Sequence, residues 1–260
     1  MVGIIGLGGS DWIREMFVDK AHLFLRVLNS RWRTAGEEAE HIARLLKTLG
    51  VYEDSKILDV GCGNGRIAIN LAKLGYRVVG IDFSPVFIED AWEKAGIHGV
   101  EDKVRFLAGD ALEIDRVLEG ELFDAAIMYW TTILGYYLDR SSDVRVLRGV
   151  RRIVRGGGYL LILNTVSLDL MVLRSGLCGI GGWISEVDDE FLLVEKPRFD
   201  PKTSTMENTW VFYRRRGRDL EYVDEVSFKP SDRWSHEFVG GSPNPFRYRD
   251  VGFSVDFCFR

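Results

Sequence analysis

Three glycines alternate through the segment Ile57 to Arg66, which reads ILDVGCGNGR. An apolar run leads through Asp59 to Gly61, Gly63 and Gly65, and a helical pattern starts at Arg66. Glycine lets a backbone turn sharply and approach a ligand where a Cβ would collide. The free N–H groups at the start of a helix favour a carboxylate or another anion. The dinucleotide fingerprint is GxGxxG, and its third glycine permits close helix packing. Here the spacing is GxGxG after an acid, and position 66, where that third glycine would fall, is arginine. Further acids stand downstream: Asp82 at the end of Val79-Gly80-Ile81, seventeen residues after Gly65, and Asp110 after Phe106-Leu107-Ala108-Gly109. Each has a plainer reading. Asp59 can accept the loop's own N–H groups, Asp82 can be a mere strand-end acid, and Asp110 can cap a short helix. Cys62 reads as a small loop residue, because thiol chemistry needs a lowered pKa.

Alternating strands and helices must position these groups. Ile57 to Val60, Arg77 to Ile81, Val104 to Leu107, Phe123 to Met128 and Tyr159 to Leu163 are short apolar runs. Arg66 to Leu74, Val86 to Ala95 and Val144 to Val154 have helical spacing between them. That rhythm predicts βαβ units and a parallel sheet covered on both faces. Upstream, Asp11 to Asn29 and Gly36 to Leu49 read as two helices, the second stopped by Gly50. Downstream, Phe191 to Glu195, Thr209 to Arg214 and Glu221 to Lys229 read as an antiparallel meander, and Gly252 to Phe259 as a strand returning to the main sheet.

ILDVGCGNGR strongly resembles motif I of the class I S-adenosylmethionine (SAM)-dependent methyltransferases, and the downstream strand ends agree with it in order. Val79-Gly80-Ile81-Asp82-Phe83-Ser84 resembles the ribose-binding acid, Phe106 to Ala111 the adenine corner, Phe123-Asp124-Ala125-Ala126-Ile127 the fourth motif, and Arg155-Gly156-Gly157-Gly158 the turn into the fifth strand. Asn29-Ser30-Arg31-Trp32, Asn164 and the stretch FDPKTSTMENTWVFYRRRG look like a subgroup with a β-insertion after the fifth strand, a plan shared with aminosugar N-methyltransferases. The chain departs from that subgroup at Gly240 to Pro245, which follows a familiar Arg233-Trp234-Ser235 but cannot form a normal helix.

The resemblance implies an α/β, Rossmann-like, mostly parallel seven-stranded sheet with helices on both faces and an antiparallel β-insertion. It divides the chain into a helical lid (1–50), a SAM-binding core (51–170 and 231–260) and an insertion over the acceptor site (171–230). Implied cofactor contacts are Arg31, Trp32, Asp59, Gly61, Cys62, Gly63, Gly65, Asp82, Phe83, Asp110, Ala111 and Tyr129. The segment Tyr129 to Tyr137 should flank the sulfonium, where aromatic faces hold a cation; it offers Tyr136 as a catalytic candidate. His236 is a second, against the plainer reading of a surface histidine. SAM is the implied cofactor, S-adenosylhomocysteine (SAH) its product, and N or O of a small molecule the implied acceptor.

Composition bounds the alternatives. In 260 residues, 46% are hydrophobic and 28% charged, the balance of a folded globular chain. No apolar run matches a membrane span, and nothing at the N-terminus reads as a secretory signal, so the expected location is cytoplasmic. A net charge of −5 gives no global attraction to nucleic acid. Three scattered cysteines and four isolated histidines signal neither disulfides nor a metal. The absence of Gln and the presence of only six Asn point to a thermophilic source. Arginines cluster at 145 to 155 and at 214 to 218. They read as a solvated helix face and a charged hairpin tip; the competing reading is a protein or RNA methyltransferase. A non-catalytic SAM-binding protein is a third reading. No Asn/Asp-Pro-Pro-aromatic motif follows the fourth strand, which speaks against base-amino and glutamine-amide methylation. The insertion also offers a surface for self-association.

Overall fold

The computed structural model describes residues 11–130, 133–137, 139–164, 182–200, 202–203, 205–229, 246–248 and 253–258. Five parallel strands form the core: β1 (Lys56–Val60), β2 (Arg77–Asp82), β3 (Val104–Ala108), β4 (Phe123–Tyr129) and β5 (Val154–Leu163). They lie in the order β3-β2-β1-β4-β5. The order reverses between β1 and β4, and ligands bind outside the strand ends at such a switch point. Beyond β5, the backbone of Phe253–Cys258 pairs parallel with it, and Phe246–Tyr248 pairs antiparallel at the edge.

Strand alternation explains how both faces are covered. On β1, Ile57 points into one apolar cluster and Leu58 into the other; on β4, Ala125 and Ile127 oppose Ala126 and Met128 in the same way. The first cluster is closed by α3 (Trp32–Thr48), α4 (Arg66–Lys73) and α5 (Pro85–His98). The second is closed by α6 (Ile114–Val117) and α7 (Arg140–Ile153).

A third cluster joins the N-terminal segment to a separate antiparallel sheet. This sheet holds β6 (Trp183–Glu186), β7 (Phe191–Asp200), β8 (Thr205–Arg216) and β9 (Asp219–Phe228), in sequence order. Its inward residues Phe191, Leu193, Trp210, Phe212 and Val226 pack against Trp12, Met16, Leu23, Phe24 and Val27. The Trp210 and Phe24 rings stack at 5.4 Å and 8°.

The N-terminal helix differs from its sequence expectation. Instead of one helix over Asp11 to Asn29 there is α1 (Asp11–Arg14), a π turn over Glu15–Asp19 and α2 (Ala21–Ser30). The Lys20 amide closes the π turn by donating to Glu15 O at 2.7 Å. The Lys20 ammonium then reaches Asp224 Oδ1 at 2.9 Å on β9. A tertiary contact therefore accompanies the interruption, which apolar spacing cannot reveal. Helix α3 also starts earlier than expected, at Trp32 rather than Gly36, because Gly36 lies on an exposed face where a helix tolerates it.

Candidate active site

The glycine loop leaves β1 at the switch point. Gly61, Gly63 and Gly65 all have positive φ, at 75°, 54° and 74°. At Gly65, which opens α4, a Cβ would also meet Phe106 Cζ at 2.8 Å. Only glycine fits there.

Asp82, at the end of β2, fastens this loop. Its Oδ2 accepts the Gly63 amide at 2.8 Å and its Oδ1 accepts that of Ser84 at 2.9 Å. It is therefore Asp82 that takes a loop amide, the role weighed in the sequence for Asp59. Each carboxylate oxygen has a further lone pair, and Asp82 lines the cavity above the loop. Burial pushes its carboxyl up to about 6, against the hydrogen bonds from the backbone.

Asp59 stands beside it, 2% exposed, with Oδ2 buried and lacking any hydrogen-bond partner among the described residues. Burial pushes its carboxyl up to about 7, opposed by the Arg66 guanidinium and reinforced by Asp82. A buried oxygen without a partner is costly, and a cationic or N–H-bearing ligand group would satisfy it.

Arg66 is the site residue that sequence reading did not single out as functional. It is 4% exposed, lines the cavity, and is ion-paired with Glu38 of α3. Its guanidinium lies 5.3 Å from the Tyr129 ring centroid and 5.7 Å from that of Trp130. The signal was an arginine set in the otherwise apolar start of α4.

Asp110, between the cavity-lining Gly109 and Ala111 but not itself lining the cavity, caps a 3-10 turn, accepting from Leu112 N at 2.9 Å, and accepts the Tyr137 hydroxyl at 2.9 Å. Burial, with the Asp110 carboxylate next, holds the Tyr137 phenol well above its usual range. Burial, then the charges of Asp82 and Asp59, pushes the Cys62 thiol up, which leaves it a packing residue beside Gly80.

The structure sorts the other expected residues. Gly61, Cys62, Gly63, Phe83, Ala111 and Tyr129 line the cavity. Arg31 lies over the Trp130 ring at 4.7 Å and lines a neighbouring polar cleft. Trp32 stacks on His98 at 5.3 Å and is not among the residues that line the cavity. Tyr136 lines the cavity with its ring held between Trp12 and Phe17. His236 lies outside the described residues. Among the described residues no cluster of His, Cys, Asp and Glu is arranged to hold a metal, and no helix is long and apolar enough to cross a membrane.

The cavity is small, about 80 Å³, whereas ligand sites run to roughly 300 Å³ or more. Phe17 and Phe24 line it, and Leu28 approaches the loop so closely that a Cβ on Gly63 would stand 3.3 Å away. Asn29 ties the same helix to the loop by accepting from Asn64 Nδ2 at 2.9 Å.

A family described as "Methyltransferase domain" matches residues 52–191, more than half of the chain. Methyltransferase GfsG of Streptomyces halstedii is 30% identical over 200 residues, spanning 74% of this chain and 69% of that protein. CalS10, an amino pentose methyltransferase from Micromonospora echinaspora solved with SAM bound, superposes with a TM-score of 0.63 at 16% identity, over 83% of this chain and 85% of that one. A SAM-dependent methyltransferase from Clostridium acetobutylicum gives 0.60 at 17% identity, over 85% and 84%. The last two speak for the fold, the first two for descent, and together they make this chain a member of the SAM-dependent methyltransferase family.

Proposed function

We propose that the chain methylates N or O of a small molecule, using SAM held above the Gly61–Gly65 loop. The observation that carries this is the pairing of Asp82, fastened to the Gly63 amide, with Asp59, whose buried Oδ2 lacks a partner. The cofactor, when bound, supplies a methyl group already activated on a sulfonium. The protein's part is alignment and exclusion of water. Asp82 accepts the ribose hydroxyls, Asp110 reads the adenine edge while Tyr137 steadies it, and Asp59 receives the amino group. Arg66 lies where a carboxylate would follow. Aromatic rings of Phe17, Trp130 and Tyr136 flank the position of the sulfonium. The helices before residue 50 act as the lid and the insertion as a roof beyond them. The two C-terminal strands complete a seven-stranded core in a cytoplasmic enzyme.

A small acceptor is favoured over a macromolecule by the surface charges. Arg145, Arg152 and Arg155 of the basic helix and its exit pair with Glu113, Asp115 and Asp124. Arg214, Arg215 and Arg216 pair with Glu190, Glu186 and Glu221. Arginines neutralised by the chain's own acids offer little to a phosphate backbone. Two fold neighbours, the amino pentose methyltransferase CalS10 and the sugar N-methyltransferase KedS8, support the same direction. Calorimetry tests the cofactor: SAH should bind and NAD(H) should not. Binding of NAD(H) without any response to SAH would overturn the reading.

A further inference from the structure

The polar groups of the cavity above the glycine loop are gathered at one end. Among the described residues its only charged lining groups are Asp59, Arg66 and Asp82, all beside the loop, and no Ser, Thr, Asn or His joins them. Once these three are assigned to the cofactor, the remaining walls are aliphatic and aromatic. Their hydroxyls belong to tyrosines, and that of Tyr137 already donates to Asp110 Oδ1 at 2.9 Å.

Four of the lining rings form two facing pairs of the same make-up. Each pair has one ring from the N-terminal segment and one from the stretch that follows β4. Phe17 lies on Tyr136 at 6.0 Å and 12°, and Phe24 lies on Trp130 at 6.1 Å and 27°. Near-parallel rings at such separations are offset stacks. The two rings of the N-terminal segment brace each other edge-on at 5.5 Å, and Phe24 also stacks on Trp210 of β8 at 5.4 Å. Trp130 is held just as firmly. Its φ of 73° is an outlier for a bulky side chain that the surrounding structure must enforce, and its amide donates to Leu163 O at 3.0 Å.

The seam between the N-terminal segment and the core therefore runs between parallel ring faces. Parting them by one ring thickness, roughly 3.5–4 Å, turns the seam into a slot with flat aromatic walls. That slot opens on the loop. Ile133, between Trp130 and Tyr136 in sequence, stands 3.4 Å from where a Cβ on Gly61 would lie, and the same cavity is lined by the loop and by all four rings.

We infer that the acceptor is a flat, neutral aromatic molecule carrying a hydroxyl or amino group, seated between Phe17 and Phe24 on one side and Tyr136 and Trp130 on the other. Its faces stack on the rings, and its heteroatom points along the slot toward the sulfonium. A sugar would bring several hydroxyls into walls that offer them few partners, and each one buried without a partner is costly. An alkylammonium group would bury a charge there. In the transfer, the acceptor's lone pair forms the new bond to the methyl carbon. The S–CH3 bond breaks with its electron pair left on sulfur, giving SAH, and the acceptor's proton passes to solvent. This inference rests on the reading of the cavity as the SAM site.

Binding and transfer are both read on the full chain. Calorimetry first measures SAH binding. With SAH saturating, the probes are 2-naphthol, which is flat and neutral, 2-decalol, the same skeleton saturated and puckered, and glucosamine. 2-Naphthol should bind about tenfold or more tighter than 2-decalol, the worth of two ring contacts, and glucosamine should give no signal. Labelled SAM should then yield the deuterated methyl ether of 2-naphthol, read by mass spectrometry. Tyr136→Leu and Phe17→Leu keep an apolar wall without a flat face. Each should shrink the preference for 2-naphthol over 2-decalol about threefold or more, whereas a merely structural loss lowers both alike. Equal binding of the two skeletons, a preference unchanged in both variants, no transfer to 2-naphthol, or transfer to glucosamine would overturn the slot. Failure of SAH to bind would instead overturn the cofactor reading, and the slot with it.

Discussion

Asp82 accepts the amide hydrogen of Gly63 at 2.8 Å, so the acid at the end of β2 and the middle glycine of the β1 loop form one rigid unit. Asp82→Ala therefore does two things. It should lower SAH affinity by about 1.5–3 kcal/mol through lost charge-assisted bonds. It should also destabilise the ligand-free chain by about 1–3 kcal/mol, because the Gly63 and Ser84 amides lose their acceptor. Calorimetry and thermal unfolding read the two effects. Unchanged affinity with lowered stability would reduce Asp82 to a loop fastener.

The same unit makes stability depend on pH in an uncommon direction. Asp59 and Asp82 are pushed up, to about 7 and about 6, so the folded chain keeps protons that the unfolded chain has released. Stability of the ligand-free protein then falls as pH rises from about 4 through 7 and levels off above. Bound SAH needs both carboxylates ionised, so its affinity should rise across that window with release of protons. Melts at pH 5 and 7.5, with titrations in buffers of differing ionisation enthalpy, check both signs. SAH binding without proton release near pH 6 would mean that neither acid changes its charge when the cofactor enters.

Tyr137→Phe tests the proposed adenine corner at Asp110. The Tyr137 hydroxyl is the donor that holds Asp110 at 2.9 Å, and its loss should weaken SAH by about 0.5–1.5 kcal/mol. Tyr136→Phe is the control. Its ring, stacked on Phe17 at 6.0 Å and 12° and meeting Trp12 at 5.1 Å, keeps its packing without the hydroxyl. Tyr136→Phe should therefore leave SAH affinity nearly unchanged, which equilibrium titration can read.

How far the sequence reached depended on the range of the interactions involved. The order of β1 to β5 and the loop at Gly61 were legible, because strand alternation and glycine conformation are local properties. The interruption at Lys20 was not, since its ammonium bonds Asp224 Oδ1, 204 residues away. Trp32 was expected at the cofactor on the strength of its place in a motif. Its ring stacks on His98 of α5 at 5.3 Å, a tertiary contact that motif position does not announce. Arg66 was visible as the wrong residue for a dinucleotide loop, but its role waits on Glu38, brought by a different helix. The facing ring pairs draw one ring each from the N-terminal segment and one from the stretch after β4, and no single segment could announce them.

On the proposed function SAH must fit where about 80 Å³ is free, and its binding should require the segment that carries Phe17 and Phe24 to move outward. That segment is held by apolar packing on the insertion and by Lys20, whose ammonium bonds Asp224 Oδ1 at 2.9 Å. It includes a π turn, a geometry frequent at functional sites. If opening precedes binding, the observed association rate should rise with SAH concentration and then reach a plateau set by the opening step. Phe17→Ala should raise that plateau several-fold, because one of the rings filling the space is removed. Lys20→Met should raise it by a smaller factor through loss of the tether, leaving the cavity lining intact. Stopped-flow tryptophan fluorescence reads all three proteins. A rate that stays linear in SAH and equal in the variants would show that the N-terminal helices are a fixed wall and not a lid.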